Sequence, residues 1–85
     1  RTAAATAVVV TDVGRGMAFV IDERGYLLTN RHVVEDAERV EKVLFPALEP
    51  PIVATSVQVV WTDPARDLAL LRVVTDRALP IVPLA

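Results

Sequence analysis

Apolar residues along the chain fall into several short runs, each ended by turn-forming residues. Residues 3–11 and 16–22 are rich in small and β-branched side chains, and the second run ends at Asp-Glu-Arg-Gly, residues 22–25. Glycine at the end of such a turn tolerates a positive φ angle. Another apolar segment, residues 26–29, follows at once, so residues 16–29 are predicted to form a β-hairpin.

The segment after this hairpin changes its period. Between residues 31 and 41, apolar side chains recur at helical spacing, at Val33, Val34, Ala37 and Val40. Asn30 precedes them, and its side chain can accept a hydrogen bond from a free amide of the first turn, so it is a predicted N-cap. The pattern indicates a short helix that gives way to a strand near residues 40–45.

The second half of the chain returns to extended patterns after a proline-rich loop at residues 46–51. Residues 52–62 alternate in part and predict one strand, with Val57, Val59 and Trp61 on one face. A turn at residues 63–66 leads to a compact apolar strand at residues 67–74. Prolines keep residues 79–84 extended. Six short strands with one brief helix after the histidine predict an all-β fold, a small antiparallel six-stranded β-barrel spanning residues 1–85.

The high apolar content of the chain raises the question of what covers its apolar surface. Apolar residues make up 53% of the 85 residues, which is high for a small soluble domain. A domain of this size buries only about 60–65% of the surface that its unfolded chain exposes. Either the core is unusually apolar, or one apolar face is covered by another polypeptide.

Charge and residue usage narrow the function classes. The net charge is −2, and the basic residues are scattered, which argues against nucleic-acid binding and against a polybasic membrane patch. No apolar run reaches the roughly 18 residues of a membrane span. The chain has no cysteine and a single histidine, so neither a metal site nor a cofactor is expected.

Two residues are candidates for chemistry. His32 follows a predicted strand and opens the short helix; a lone histidine is either a surface or core residue or a proton-transfer group. Asp67 opens an apolar strand, where a carboxylate is costly to bury unless it is hydrogen-bonded or paired. It either caps the turn at residues 63–66 or orients an imidazole. Spacing alone leaves both pairs of alternatives open.

Two sequence blocks carry a resemblance to a known family. Thr-Asn-Arg-His-Val-Val at residues 29–34 and Asp-Pro-Ala-Arg-Asp-Leu-Ala-Leu-Leu at residues 63–71 stand in the order and at about the distance found in HtrA/Deg-type proteases. These proteases are bacterial-style members of the trypsin/chymotrypsin-like superfamily. The blocks at residues 14–20 and 79–84 extend the resemblance over nearly the whole chain. Arg15, Met17-Ala18 and the proline content of residues 46–51 depart from the family pattern.

The resemblance implies roles for the matching residues. His32 would be the general base and Asp67 the carboxylate that orients it, whereas Asp63 would have no catalytic role. In such proteases these two residues come from the first of two barrels, and the serine nucleophile comes from the second. The chain would then be the N-terminal barrel half of a trypsin-like peptidase domain, with an extracytoplasmic bacterial location.

No nucleophile is predicted within this chain. Its only serine, Ser56, lies in the alternating segment without flanking glycine, unlike the glycine-rich nucleophile turn of the family. The isolated chain is therefore expected to be inactive and to have a C-terminal barrel and a polypeptide substrate as partners. An uncovered apolar face would favour self-association or binding in trans. The alternatives are a non-catalytic protease-like barrel that serves as a scaffold or interaction module, and a stand-alone barrel that dimerises.

Overall fold

The computed structural model describes residues 5–81 and contains seven strands and one short helix in that part of the chain. The elements are β1 Thr6–Thr11, β2 Arg15–Asp22, β3 Tyr26–Asn30, α1 Arg31–Glu35, β4 Val40–Phe45, β5 Ile52–Ala54, β6 Val57–Asp63 and β7 Leu68–Val73. The all-β fold and the β2–β3 hairpin are confirmed. The predicted short helix is present as α1, which contains His32 and ends before the predicted positions Ala37 and Val40. The ends of two predicted segments, residues 3–4 and 82–84, lie outside the described residues.

All seven strands belong to one antiparallel sheet, with the order β5-β4-β1-β2-β3-β7-β6. The two outermost strands of this order, β5 and β6, are consecutive in the chain and are joined by only Thr55 and Ser56. Such a link spans no more than about 11 Å. The two edges must therefore approach each other, and the sheet curls into a half-barrel of the predicted kind.

The predicted number of strands was too low by one. Residues 52–62 were predicted as a single strand, but β5 pairs with β4 at one edge of the sheet and β6 pairs with β7 at the other. The chain crosses between these edges at Thr55 and Ser56. Apolar alternation reports which side chains face inward, and it does not report a change of partner strand.

A bulge in β6 overturns a second expectation. Alternation placed Val59 and Trp61 on the same face, but the register shifts between them. Val59 pairs with Leu71, whereas Trp61 pairs with Leu70, the neighbouring residue of β7. Because successive strand residues point to opposite faces, the extra residue in the bulge moves the Trp61 side chain to the outer face of the sheet.

The core lies on the inner face of the curled sheet. Alternate positions of β1, β2, β3 and β7 are buried, as the pleat of a half-buried strand requires. The largest fully buried side chains are Phe45, Leu27 and Leu71. Thr11 and Thr29 are the buried polar residues among those described. The Thr29 hydroxyl donates to the carbonyl of Met17 at 2.6 Å, so its burial is compensated.

The β2–β3 turn depends on glycine for two reasons. Gly25 has φ +106°, and its N–H donates to the carbonyl of Asp22 at 3.0 Å. The carbonyl of Gly25 accepts from the N–H of Val73 at 2.9 Å, and a Cβ at Gly25 would collide with the carbonyl oxygen of Val73. This end of β3 is therefore closed by a turn that only glycine adopts without strain.

Candidate active site

The fold brings the two candidate residues together. Asn30 at the end of β3 pairs with Leu68 at the start of β7, so the residues just beyond them meet at the same end of the sheet. His32 Nδ1 lies 2.6 Å from Asp67 Oδ2, although 35 residues separate the two in the chain. This is a short, charge-assisted hydrogen bond, and the imidazole-orienting geometry considered for Asp67 is present.

The same carboxylate also holds the start of α1. Asp67 Oδ1 accepts from the backbone N–H of His32 at 2.9 Å, so the carboxylate grips both the main chain and the ring of one residue. The Asp67 carbonyl accepts from the N–H of Arg31 at 3.0 Å. A five-residue helix has little stability of its own, and β7 therefore fixes the position of His32 through these contacts.

Asn30 does not act as the predicted cap. It occupies the N-cap position with φ −81° and ψ 141°, but its side chain accepts no hydrogen bond from the helix. Instead its Nδ2 donates to the Asp67 carbonyl at 3.2 Å. The acceptor expected from Asn30 is replaced by the Asp67 carboxylate, which arrives from a distant strand. Local sequence rules for capping cannot include such a partner.

The local alternative for Asp67 does not hold either, because Asp63 caps the turn at residues 63–66. Asp63 Oδ1 accepts from the N–H groups of Ala65 and Arg66 at 3.1 and 3.3 Å, and its Oδ2 accepts from the Arg66 guanidinium at 2.9 Å. Asp67 has φ 56°, in the left-handed region that aspartate tolerates better than most residues. Such a conformation costs on the order of 1–3 kcal/mol and persists where surrounding contacts impose it.

Electrostatics define the protonation pattern of the pair. The hydrogen bonds from the His32 ring and the His32 backbone N–H hold the pKa of Asp67 below its ordinary value, against a smaller opposing effect of desolvation. The carboxylate is therefore ionised and can only accept. An ionised carboxylate in the 2.6 Å contact requires the proton to sit on Nδ1, and in that tautomer Nε2 is the acceptor nitrogen. The His32 side chain is 66% exposed, so this acceptor is accessible.

Ser56 is far from this pair. It lies in the link before β6, not within a strand as the alternation suggested. The next residue, Val57, pairs with Val73 at the far end of β7 from Asp67. The rise per strand residue puts these two ends roughly 17 Å apart. Ser56 is exposed, and its carbonyl accepts from the N–H of Val74 at 3.3 Å.

Gly16 of β2 and Val33 of α1 pack closely against each other, which positions α1 against the sheet. The sequence did not predict this contact. A Cβ at Gly16 would lie 2.5 Å from Cγ2 of Val33, so only glycine leaves room for the residue that follows His32. A groove of about 400 Å³ beside His32 is bounded by Val33, Gly16 and the turn between β1 and β2. Gly16 was visible in the sequence, but nothing there indicated its contact with the helix.

Within residues 5–81, no group of three or more His, Cys, Asp or Glu side chains is arranged to hold a metal ion. Across the same range, the helical content includes nothing long and apolar enough to cross a membrane.

Comparison with known proteins agrees with the geometry. A family model described as the trypsin-like peptidase domain matches residues 16–85. Over 66 residues the chain is 33% identical to a probable periplasmic serine endoprotease DegP-like of Chlamydia trachomatis, a match covering 78% of this chain and 12% of that protein. It is 33% identical over 69 residues to serine endoprotease DegS of Escherichia coli, covering 81% of this chain and 18% of DegS.

A mitochondrial relative extends this set. The chain is 38% identical over 72 residues to the mitochondrial serine protease HTRA2 of Bos taurus, a match covering 85% of this chain and 15% of that protein. The chain thus spans less than a fifth of the length of each of these three relatives.

Proposed function

Since this chain belongs to the trypsin-like peptidase domain family, with HtrA-type serine proteases as its relatives, we propose that it supplies the general base and the orienting carboxylate of a serine endopeptidase. His32 is the base and Asp67 the orienting group. The observation that carries this proposal is the 2.6 Å contact between His32 Nδ1 and Asp67 Oδ2, with Nε2 left accessible.

The chemistry follows from this arrangement. Nε2 of His32 accepts the proton of a serine hydroxyl while that oxygen bonds to the carbonyl carbon of the scissile peptide. Asp67 stabilises the resulting imidazolium and keeps the ring in the required tautomer. His32 then returns the proton to the leaving amine as the C–N bond breaks, and a water molecule hydrolyses the acyl ester by the same route.

The nucleophile of the proposed enzyme comes from polypeptide outside this chain. Ser56 is the only serine, and it lies at the far end of β7, too distant to give its hydroxyl proton to His32. The chain is therefore inactive by itself in this proposal, because both the nucleophile and the donors that stabilise an oxyanion must be added. It forms the N-terminal barrel half, residues 1–85, of a two-barrel peptidase domain.

An exposed apolar row supports a second barrel as the partner. Direct register pairs on β2, β3, β7 and β6 place four large side chains on the outer face of the sheet, Phe19, Leu28, Leu70 and Trp61. Phe19 is 43% exposed and Trp61 48% exposed. The row lies two residues from the Asn30–Leu68 pair, roughly 7 Å along the strands. A domain that covers this row is thereby held beside His32.

The remaining properties of the proposed enzyme come from its relatives. Its substrate is a polypeptide, since these relatives are named as endoproteases, and it works outside the bacterial cytoplasm, since the Chlamydia trachomatis relative is named as a probable periplasmic endoprotease. HTRA2 is named as mitochondrial.

When the apolar row is uncovered, the isolated chain associates with itself or with other chains, because burying apolar surface contributes about 25 cal/mol per Å².

The test compares the isolated chain with the same chain extended by the polypeptide that follows it in its own gene. We expect no casein hydrolysis by the isolated chain and measurable hydrolysis by the extended protein. His32→Ala abolishes the hydrolysis by the extended protein. Ser56→Ala is the matched control and leaves it unchanged, because Ser56 is not the nucleophile.

The other outcomes identify the alternatives. An extended protein that folds but cleaves nothing points to a non-catalytic scaffold or interaction module. Cleavage by the isolated chain that His32→Ala removes would refute the requirement for a second barrel. A stable dimer of the isolated chain that blocks access to His32 would favour the stand-alone barrel.

A further inference from the structure

The groove beside His32 contains a cation as well as the imidazole. It has a volume of about 400 Å³ and lies between the β1–β2 turn and the start of α1, with Arg15 at the first position of β2 as part of its lining. In the proposed enzyme the scissile peptide must come within hydrogen-bond reach of His32. A substrate residue next to that peptide then lies over this groove.

The charge of Arg15 is not neutralised within the chain. Arg15 is exposed, and no carboxylate of residues 5–81 forms an ion pair with it. Asp12, the acidic residue nearest to Arg15 in sequence, is hydrogen-bonded to the backbone before β4 instead. Its Oδ2 and Oδ1 accept from the N–H groups of Glu38 and Arg39 at 3.3 and 3.2 Å. The guanidinium is therefore free to bind a carboxylate supplied by a ligand.

Hydrogen bonds hold the turn between β1 and β2, which precedes Arg15, in one conformation. The Thr11 hydroxyl is buried with its residue, donates to the carbonyl of Gly14 at 3.2 Å, and accepts from the N–H groups of Val13 and Gly14 at 3.2 and 3.1 Å. The N–H of Thr11 also donates to the Gly14 carbonyl at 2.8 Å. A turn tied in this way loses little conformational entropy when a ligand binds beside it.

We propose that Arg15 is a specificity-determining residue that makes this groove select an acidic side chain of the polypeptide substrate, adjacent to the bond at His32. The proposal rests on the proposed function above. A guanidinium presents paired N–H donors that match both oxygens of a carboxylate. An amide of the same shape loses the charge, and a lysine side chain is repelled, so discrimination has both an attractive and a repulsive part.

The experiment measures binding of short peptides to the 85-residue chain by NMR titration and calorimetry, at concentrations at which sedimentation shows the chain to be monomeric. The peptides are acetylated and amidated hexapeptides that differ only in having Glu, Gln or Lys at one position, with that position scanned along the peptide. We expect the Glu peptide to bind about two- to five-fold more tightly than the Gln peptide, the range for an exposed ion pair. Amide signals of residues 14–17 and 32–33 should shift.

Charge variants separate selectivity from a structural role. Arg15→Gln should remove the preference for Glu, and Arg15→Glu should reverse it in favour of the Lys peptide. Arg72→Gln is the matched control, since Arg72 is an exposed arginine four residues of β7 away from the Asn30–Leu68 pair. The preference should also decline as ionic strength rises, because salt screens exposed charges. Equal binding of the Glu and Gln peptides, or a preference unchanged by Arg15→Glu, would overturn the proposal.

An activity measurement keeps this proposal distinct from the proposed function. In the extended protein, the ratio of kcat/KM for Glu and Gln peptides should fall toward one with Arg15→Gln, while hydrolysis of the Gln peptide persists. Binding selectivity without any hydrolysis would remove the proposed function and leave only the preference of Arg15 for an acidic side chain of a bound peptide. Hydrolysis without an Arg15-dependent preference would support the proposed function and overturn the role of Arg15.

Discussion

The two ends of β3 each hold an aspartate paired with a basic side chain, but they reach this arrangement in different ways. At the start, Asp22 accepts from the N–H and Nε of Arg24 at 2.8 and 3.0 Å, and Arg24 Nη2 lies 2.7 Å from its other oxygen. At the other end, Asp67 meets His32 across 35 residues. One pair closes a turn, and the other exists only when β3 and β7 are paired.

The contrast explains why the second end can carry chemistry. The Asp22–Arg24 pair joins residues that are two apart in the chain, and the guanidinium does not give up a proton at ordinary pH. The Asp67–His32 pair combines an ionised carboxylate with a ring whose second nitrogen is open. Because its geometry depends on long-range strand pairing, we expect any change that shifts β7 or α1 to alter the proton transfer proposed for this pair.

The largest difference between the two ends is expected in activity. In the extended protein, Asp67→Asn should lower kcat by about 10⁴-fold, because an amide in place of the carboxylate stabilises the wrong histidine tautomer. The matched change at the other end, Asp22→Asn, should stay within about two-fold, as expected for a surface substitution. Steady-state hydrolysis of a peptide substrate measures both. Equal losses for the two variants would contradict a special role for Asp67.

The largest expected loss of folding stability comes from replacing Gly25, the glycine just before β3. Gly25→Ala places a Cβ against the carbonyl of Val73 at φ +106°, and we expect a loss of about 3 kcal/mol or more. The melting temperature should fall by about 10 °C or more. Gly14→Ala is the control, since a Cβ at Gly14 meets nothing within 4 Å. Similar melting temperatures for the two variants would show that the turn relaxes easily.

A second glycine tests the end that carries His32. Gly16→Ala brings a Cβ to within 2.5 Å of Val33, and overpacking of this kind costs about 1–3 kcal/mol. Val33→Ala should partly rescue it, so the double variant is more stable than the sum of the single changes predicts. Chemical denaturation of the four proteins measures the coupling. Strict additivity would mean that α1 adjusts without strain.

The smallest expected effect is on how the melting temperature changes between pH 5 and pH 2. The Arg24 side chain lowers the pKa of Asp22 to about 2, and the His32 ring lowers the pKa of Asp67. Carboxyls with a depressed native pKa stabilise the fold above their ordinary value near 3.8. That stabilisation is lost as pH falls through the native pKa, because the unfolded chain binds protons first.

Melting temperatures between pH 5 and pH 2 should therefore decline less steeply in Asp22→Asn and in Asp67→Asn than in the parent chain. The double variant should show the sum of the two changes, since the two aspartates lie at opposite ends of β3 and share no partner. A decline that neither substitution alters would mean that these pairs do not contribute to acid stability.

Sequence patterns predicted the elements whose causes are local. The β2–β3 hairpin needs only a glycine with positive φ after an apolar run, and Gly25 provides it. The short helix follows from spacing within a few residues of His32. The errors arose where another strand intervenes. Thr55 and Ser56 change the partner strand, a bulge turns Trp61 outward, and Asp67 takes the role expected of Asn30.

The apolar pattern and turn residues of this chain suffice for an all-β fold, because burial and backbone preference act over a few residues. Only the strand pairing decides that Phe19 and Trp61 lie on the outer face of the sheet. The order of the motifs also pointed to His32 and Asp67. Their 2.6 Å contact, the distance of Ser56 from them, and the groove next to Arg15 follow from how β3, β7 and α1 are paired. Those positions are set by hydrogen bonds and close packing between segments far apart in the chain, and no local pattern encodes such distances.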